Sequence, residues 1–264
     1  MCDVFFDSLE NRPQIADGFL CKIGLPNGEG FAILIPRKLW KGALYMDVFD
    51  IIGPIMIGPS SSHTAGACRI GKYARSILGE DVQKADIYFS GSFAKTYRGH
   101  GTDKAIVAGL MGMDTDDLRI RNSLQLAKEA GMDYTFYPTQ IDDAHPNTVL
   151  LRVTGFSGKH WEIEGASVGG GRISIRRING TPVDISGDAT TLLVYHLDTP
   201  GMISDVTNIL ARRGVNIGRF ELRRAVKGGE AVMVIEIDGD IEDSVNDMIR
   251  RFPNVYESIV LKAI

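Results

Sequence analysis

The clearest alternation of apolar and polar positions lies in the last quarter of the chain. Helical spacing of apolar residues predicts a helix with Ile203, Val206, Ile209 and Leu210 on one face, and a second helix across 242–252. Short apolar runs predict strands at 191–196, 215–222, 231–237 and 255–261. The predicted order is strand, helix, strand, strand, helix, strand, which is the ferredoxin-like arrangement.

The middle of the chain mixes helices and strands. Apolar residues at helical spacing predict a helix from Ser62 to a stop at Gly79, and an Asn179-Gly180 pair predicts a β-hairpin. Further helices are predicted after Thr102 and across 123–130, with strands at 85–89, 148–153, 161–163 and 172–178. The fold class is therefore α+β. A mixed α/β domain spans 46–187, its sheet largely antiparallel, and the ferredoxin-like domain spans 188–264.

Residues 1–45 have a different character from the rest. Their short apolar pieces are broken by Pro13, Pro26, Pro36 and Asn27-Gly28, and no amphipathic period ties them to a core. Two hypotheses fit this segment. Either translation begins at Met46, since a ribosome-binding sequence could encode the residues just before it, or the segment is a genuine N-terminal extension. In both cases we expect it to be dispensable for the fold.

Composition and charge narrow the function. The chain has 264 residues and a net charge of −4 at pH 7, which argues against nucleic acid as a partner. No apolar run is long enough to cross a bilayer, so we expect no membrane partner and a cytoplasmic location. Cys2, Cys21 and Cys68 are too few for a disulfide framework or for the four thiolates that usually hold an iron–sulfur cluster.

The stretch GPSSSHTAG (58–66) places hydroxyl groups and a histidine at the start of the predicted helix. Three interpretations are open. The serines cap the helix and do nothing more; the loop binds phosphate, although it lacks the lysine of the familiar nucleotide motif; or it binds a small carboxylate. In the third case the binding groups are Ser60, Ser61, Ser62 and Thr64. His63 is then the candidate catalytic residue, because imidazole exchanges protons near neutral pH.

Three further polar or glycine-rich turns lie in the same domain. They are GSFAKTYRGHGTD (91–103), HPNT (145–148) and SVGGG (167–171). Any one of them is more often a plain turn than a site. As a set they add substrate-binding candidates, namely Gly91, Ser92, His100, Asn147 and Gly170.

The C-terminal segment resembles the ACT domain, a small module that binds amino acids in many metabolic enzymes. The resemblance rests on HLDTPG (196–201) and on GVNI (214–217). It implies an effector site in which Gly201 exposes the amides of a helix N-terminus and Asn216 lies on the neighbouring strand. Many such domains only pair with a copy of themselves, so self-association is the competing expectation.

The order of all four motifs before an ACT domain resembles the β chain of the bacterial two-chain L-serine dehydratase, from about Met46 to the C-terminus. The domain at 46–187 is then similar to the allosteric substrate-binding domain of some D-3-phosphoglycerate dehydrogenases. The resemblance implies deamination of L-serine to pyruvate and ammonia by a [4Fe–4S] enzyme, in which a cluster iron acts as a Lewis acid. Pyridoxal phosphate is not implied.

Because this chain is short of thiolates, the resemblance places the cluster in a separate α chain. We expect no metal site of this chain's own, and L-serine as the small-molecule partner. The alternatives are a purely regulatory, serine-sensing subunit and a stand-alone amino-acid-binding module.

Overall fold

The computed structural model describes residues 18–24, 30–36 and 54–264. The chain divides into two compact units, one ending at Ile51 and the other beginning at Ile52. In the first unit, strands β1 (Gly18–Gly24) and β2 (Gly30–Pro36) pair antiparallel. The sequence pattern did not predict this pairing, because neither strand alternates apolar and polar residues.

The second unit contains a six-stranded sheet. Its order is β4-β3-β5-β6-β7-β8, and only the β3–β4 pair is parallel. The strands are β3 (Val82–Phe89), β4 (Asp133–Pro138), β5 (Thr148–Gly155), β6 (His160–Gly169), β7 (Arg172–Ile178) and β8 (Thr181–Ile185). Asn179 and Gly180 join β7 to β8 with φ of 48° and 76°, as the hairpin signal requires.

Four helices accompany this sheet. They are α1 (Ala67–Leu78), α2 (Gly91–Thr96), α3 (Thr102–Leu110) and α4 (Ser123–Glu129). A π-helical turn, Ser61–Gly66, leads directly into α1, and a 3₁₀ turn, Leu118–Asn122, precedes α4. Gly79 ends α1 at φ 80°, where its N–H donates to the carbonyl of Arg75. The predicted stop is therefore confirmed.

Helix α1 is the centre of the packing. Its apolar face, which includes Ile70, Tyr73 and Ile77, is completely buried. It approaches α3 very closely, because a Cβ at Gly109 would overlap the carbonyl oxygen of Cys68. A Cβ at Gly165 in β6 would lie 2.9 Å from Ile70 Cγ2, so glycine also lets α1 settle onto the sheet.

The C-terminal segment (190–261) folds as predicted. Its four-stranded sheet is antiparallel throughout, in the order β10-β11-β9-β12. Its elements are β9 (Thr190–Leu197), α5 (Met202–Arg212), β10 (Ile217–Arg224), β11 (Glu230–Ile237), α6 (Asp243–Arg250) and β12 (Val255–Leu261). The ferredoxin-like arrangement is confirmed.

Both faces of this sheet are covered within the chain. Leu192 and Val194 pack among apolar residues of α5 and α6. Leu193 and Leu261 point to the opposite face and join the core around α1, which contacts β12. Lys159 and Glu257 form an ion pair of 2.7 Å across the same junction. Helix α1 therefore lies between the two sheets.

We predict that Gly109→Ala lowers the free energy of unfolding by about 1–3 kcal/mol, since the added methyl group forces α1 and α3 apart. The sign is informative, because Gly→Ala in an unconstrained helix raises stability by about 0.5–1 kcal/mol. Denaturant unfolding measures the change. Gly99→Ala, in the turn between α2 and α3, is the control for a glycine without close neighbours, since the nearest atom to its Cβ would be Thr96 O at 3.7 Å. Equal stability of the two variants would contradict the close approach.

Candidate functional site

The turn that opens α1 is organised by Ser60. Its Oγ accepts the backbone N–H of His63 at 3.2 Å, and its carbonyl accepts the N–H of Thr64 at 2.8 Å. Ser60 is thus the N-cap, so a capping role for one serine of the motif is established. The hydroxyls of Ser61 and Ser62 have no hydrogen-bond partner among residues 54–264, and both side chains are partly exposed.

The His63 ring uses both of its nitrogens. Nδ1 lies 3.3 Å from Ser60 Oγ, and Nε2 lies 3.1 Å from Ser92 Oγ. The ring packs edge-on against His100 and Phe93, with centroid separations of 4.7 and 5.3 Å. The first two predicted motifs therefore meet at this histidine.

The backbone holds Ser92 in place. Its N–H donates to the carbonyl of Pro146 at 2.6 Å, and its own carbonyl accepts the Thr96 hydroxyl at 2.8 Å. Gly91 is at φ 59°, and a Cβ there would overlap Pro146 O, so this position requires glycine. The HPNT turn is in this way joined to the turn that carries Ser92.

His100 borders the same turn from the other side. Its carbonyl accepts the Thr64 hydroxyl at 3.3 Å. Its Nδ1 is buried and has no partner within the described part of the chain. His100 is therefore close to His63 through its ring and to Thr64 through its backbone.

The last two motifs contact the site through their backbones. The Asn147 carbonyl accepts the N–H of Ser167 at 3.0 Å, and Ser167 Oγ lies where a Cβ of Gly66 would be. The carbonyl of Gly171 accepts Arg69 Nη1 at 3.2 Å. Within 54–264, the Asn147 side chain makes no hydrogen bond, and Gly170 lies in the β6–β7 turn without a bond to His63.

One residue of this cluster was missed as a candidate. Ser167 is completely buried, and its Oγ has no partner in the described residues. Its only signal in the sequence was its place at the start of SVGGG, where the glycines drew attention instead. It holds the π-helical turn against β6.

Burial and a neighbouring histidine favour the neutral form of the His63 ring. Partial burial lowers its pKa below the ordinary value, and the nearby His100 lowers that pKa further. Because the pKa in the folded protein is below that of the unfolded chain, the free energy of unfolding falls as the pH drops below the unfolded-state value. Above that value the lowered pKa of His63 does not reduce the free energy of unfolding.

No part of the described chain fits a metal cluster. Residues 54–264 contain no group of three or more His, Cys, Asp and Glu side chains placed to hold a metal ion. Cys68 is buried, donates to the Met113 carbonyl at 3.4 Å, and its pKa is raised to about 12, mainly by burial. A thiol in that state is a poor ligand. The side chains of Cys2 and Cys21 lie outside the described residues.

The two predicted effector residues lie at the ends of separate elements. Gly201 is the N-cap of α5, at φ 96°, and Asn216 directly precedes β10. The Asn216 side chain donates to Asp238 Oδ2 at 2.6 Å, so one of its two amide N–H groups is engaged within the domain.

In the described part of the chain no helix has the length and apolarity to span a bilayer.

Comparison with known proteins agrees with both halves of the fold. The family model "Serine dehydratase beta chain" matches residues 47–135, and the model "ACT domain" matches 190–253. The chain is 45% identical over 213 residues to the "Probable L-serine dehydratase, beta chain" of Bacillus subtilis (strain 168), an alignment that covers 81% of this chain and 96% of the relative.

Two other relatives extend the comparison. The "L-serine dehydratase, beta chain" of Peptoniphilus asaccharolyticus is 38% identical over 76% of this chain and 91% of its own length. A D-3-phosphoglycerate dehydrogenase of Bacillus subtilis (strain 168) is 27% identical over 75% of this chain, but over only 37% of its own length. The second similarity is confined to a part of a larger enzyme.

The molecule is thus a six-stranded α+β domain, which carries the polar turn, joined to an ACT domain. The resemblance inferred from the four motifs is confirmed. The chain belongs to the L-serine dehydratase beta chain family.

We predict that His100→Ala raises the pKa of His63 but leaves it below the ordinary histidine value. The substitution removes the influence of the His100 charge and the part of the burial that its ring provides, and both changes raise the pKa. The burial that Phe93 provides remains. NMR titration of the His63 ring signals measures the shift, with the exposed His160→Ala as control. A His63 pKa that does not move in His100→Ala would contradict the described proximity of the two rings.

Proposed function

We propose that this chain is the β subunit of a cytoplasmic, iron–sulfur L-serine dehydratase that deaminates L-serine to pyruvate and ammonia with a separate α chain. Membership of the family supports the reaction. Both L-serine dehydratase relatives are named beta chains, which supports the existence of a second, α chain. In this proposal the α chain holds the [4Fe–4S] cluster, whose iron would supply a Lewis acid; residues 54–264 of this chain offer no group of three ligands for it.

The observation that carries this proposal is the convergence of two distant segments on His63. Its ring lies between Ser60 and Ser92, and Thr64 is bonded to His100. A helix cap needs only one of these hydroxyls. Thr64 already donates to His100, so the partly exposed hydroxyls of Ser61, Ser62 and Ser92 remain. They suit a small ligand that carries carboxylate and hydroxyl oxygens, and L-serine carries both.

A regulatory role is the second candidate, and the position of the ACT domain favours it. The ACT sheet packs on α1, and the π-helical turn that carries His63 leads directly into this helix. A ligand held near Gly201 and Asn216, or self-association through the ACT domain, would therefore act on an element that is continuous with the site. In that case the chain senses serine and leaves the chemistry to the α chain.

We expect the isolated chain to hold no cluster and to produce no pyruvate, and the mixture with the α chain to produce pyruvate from L-serine. Anaerobic iron–sulfur reconstitution, iron analysis and a pyruvate assay make the measurement. The α chain alone is the matched control. A stoichiometric cluster on the isolated β chain that is lost in Cys68→Ala would contradict the division of labour.

We predict that His63→Ala lowers kcat/KM for L-serine in the two-chain enzyme by about tenfold or more, while the melting temperature changes little. The reason is the loss of the hydrogen bonds from the His63 ring to Ser60 and Ser92, which hold in place the hydroxyl groups that a ligand would contact. Ser76→Ala is the control, since Ser76 lies on the exposed side of α1 and its hydroxyl donates to the Lys72 carbonyl within the same helix. If His63→Ala keeps normal kinetics and only melts earlier, the turn is a cap and the regulatory role becomes the better account.

A further inference from the structure

The hydrogen bonds from Ser60 through the His63 ring to Ser92 can run in either of two directions. In the first, Ser60 Oγ accepts the backbone N–H of His63 and gives its own hydroxyl proton to Nδ1. The ring proton is then on Nε2 and is donated to Ser92 Oγ. The second direction has the ring proton on Nδ1 and frees the Ser60 proton instead of the Ser92 proton, so the tautomer of His63 distinguishes the two.

Ser92 is the end of this chain of hydrogen bonds. In the first direction its Oγ accepts from Nε2, and its own proton has no acceptor within residues 54–264. Its backbone is held on both sides, by Pro146 and by Thr96. The side chain is partly exposed. A hydroxyl with a fixed backbone, a satisfied acceptor and a free proton is a preorganised donor for an oxygen atom of a ligand.

His63 has no free nitrogen with which to touch that ligand. One nitrogen faces Ser60 and the other faces Ser92. A neutral imidazole whose Nε2 already carries a proton also cannot take a second proton through Ser92 without becoming an imidazolium. Burial and the nearby His100 both disfavour that charge by lowering the His63 pKa.

We infer that Ser92 is the group that touches the substrate, donating its hydroxyl proton in a hydrogen bond to a carboxylate or hydroxyl oxygen of an α-amino acid, and that His63 is a positioning residue which orients Ser92. This inference rests on the proposed function for the identity of the amino acid. His63 then acts by holding the Ser92 hydroxyl in position and not by transferring a proton, the role that the sequence suggested for it.

Kinetics of the reconstituted two-chain enzyme with L-serine test the assignment. We expect Ser92→Ala and His63→Ala each to raise KM by about 10- to 100-fold, the effect of losing a hydrogen bond to a charged group, with kcat nearly unchanged. The double variant should be no worse than the poorer single variant, since both changes break one chain. His63→Gln should restore a KM near the wild-type value, because its amide N–H replaces the Nε2–H.

The outcomes separate the possible roles. A kcat that falls about 10²- to 10⁴-fold in both His63→Ala and His63→Gln would overturn the inference in favour of proton transfer. An unchanged KM in Ser92→Ala would overturn it as well. Ser76→Ala is again the control, since Ser76 lies outside this chain of hydrogen bonds.

A spectroscopic measurement does not depend on the reaction. ¹⁵N NMR of histidine-labelled full chain should show His63 as the Nε2–H tautomer, assigned by the signal lost in His63→Gln, and Ser60→Ala should convert it to a tautomer mixture. An Nδ1–H tautomer in the wild-type protein would overturn the inferred direction of the hydrogen bonds from Ser60 through His63 to Ser92. If the two-chain mixture makes no pyruvate but the tautomer is as expected, the proposed function fails and the hydrogen-bond assignment stands.

Discussion

The structure depends on how closely helix α1 is enclosed. It contacts α3 where Gly109 leaves no room for a methyl group, and it rests on β6 where Gly165 leaves little. Strand β12 of the ACT domain contacts it as well. Because packed interiors transmit small volume changes, the position of α1 is set by its neighbours on several sides. The π-helical turn that begins this helix, and with it His63, inherits that position.

Most regular elements could be predicted because they bury one face and show it as a period. The elements that were missed lack that signal. Strand β4 lies at the sheet edge and is largely exposed, and α2 has only six residues, too short for a helical period. The hairpin of β1 and β2 presents uninterrupted apolar runs rather than alternation. The secondary structure of such segments is set by their contacts with distant parts of the chain and not by their local sequence pattern.

The candidate site was predictable as a set of residues but not as a geometry. The sequence nominated Ser60, His63 and Ser92, yet the bond from His63 to Ser92 joins residues 29 positions apart. Ser167 was missed because its contact is the space left by Gly66, and an absent side chain leaves no pattern. The sequence named Asn216 as an effector-site residue but did not show its hydrogen bond to Asp238, 22 residues away.

Because both faces of the ACT sheet are buried within this chain, the domain is poorly suited to transfer into another protein. A domain that is exchanged between genes must keep its apolar surfaces covered when it is separated from its original neighbour. Here Leu193, Val232, Val234, Ile259 and Leu261 belong to the same core as α1. A transplanted copy would arrive with an uncovered apolar face, so its sequence and that of α1 are constrained to change together. The ACT domain of this chain is a partner in the fold rather than an interchangeable attachment.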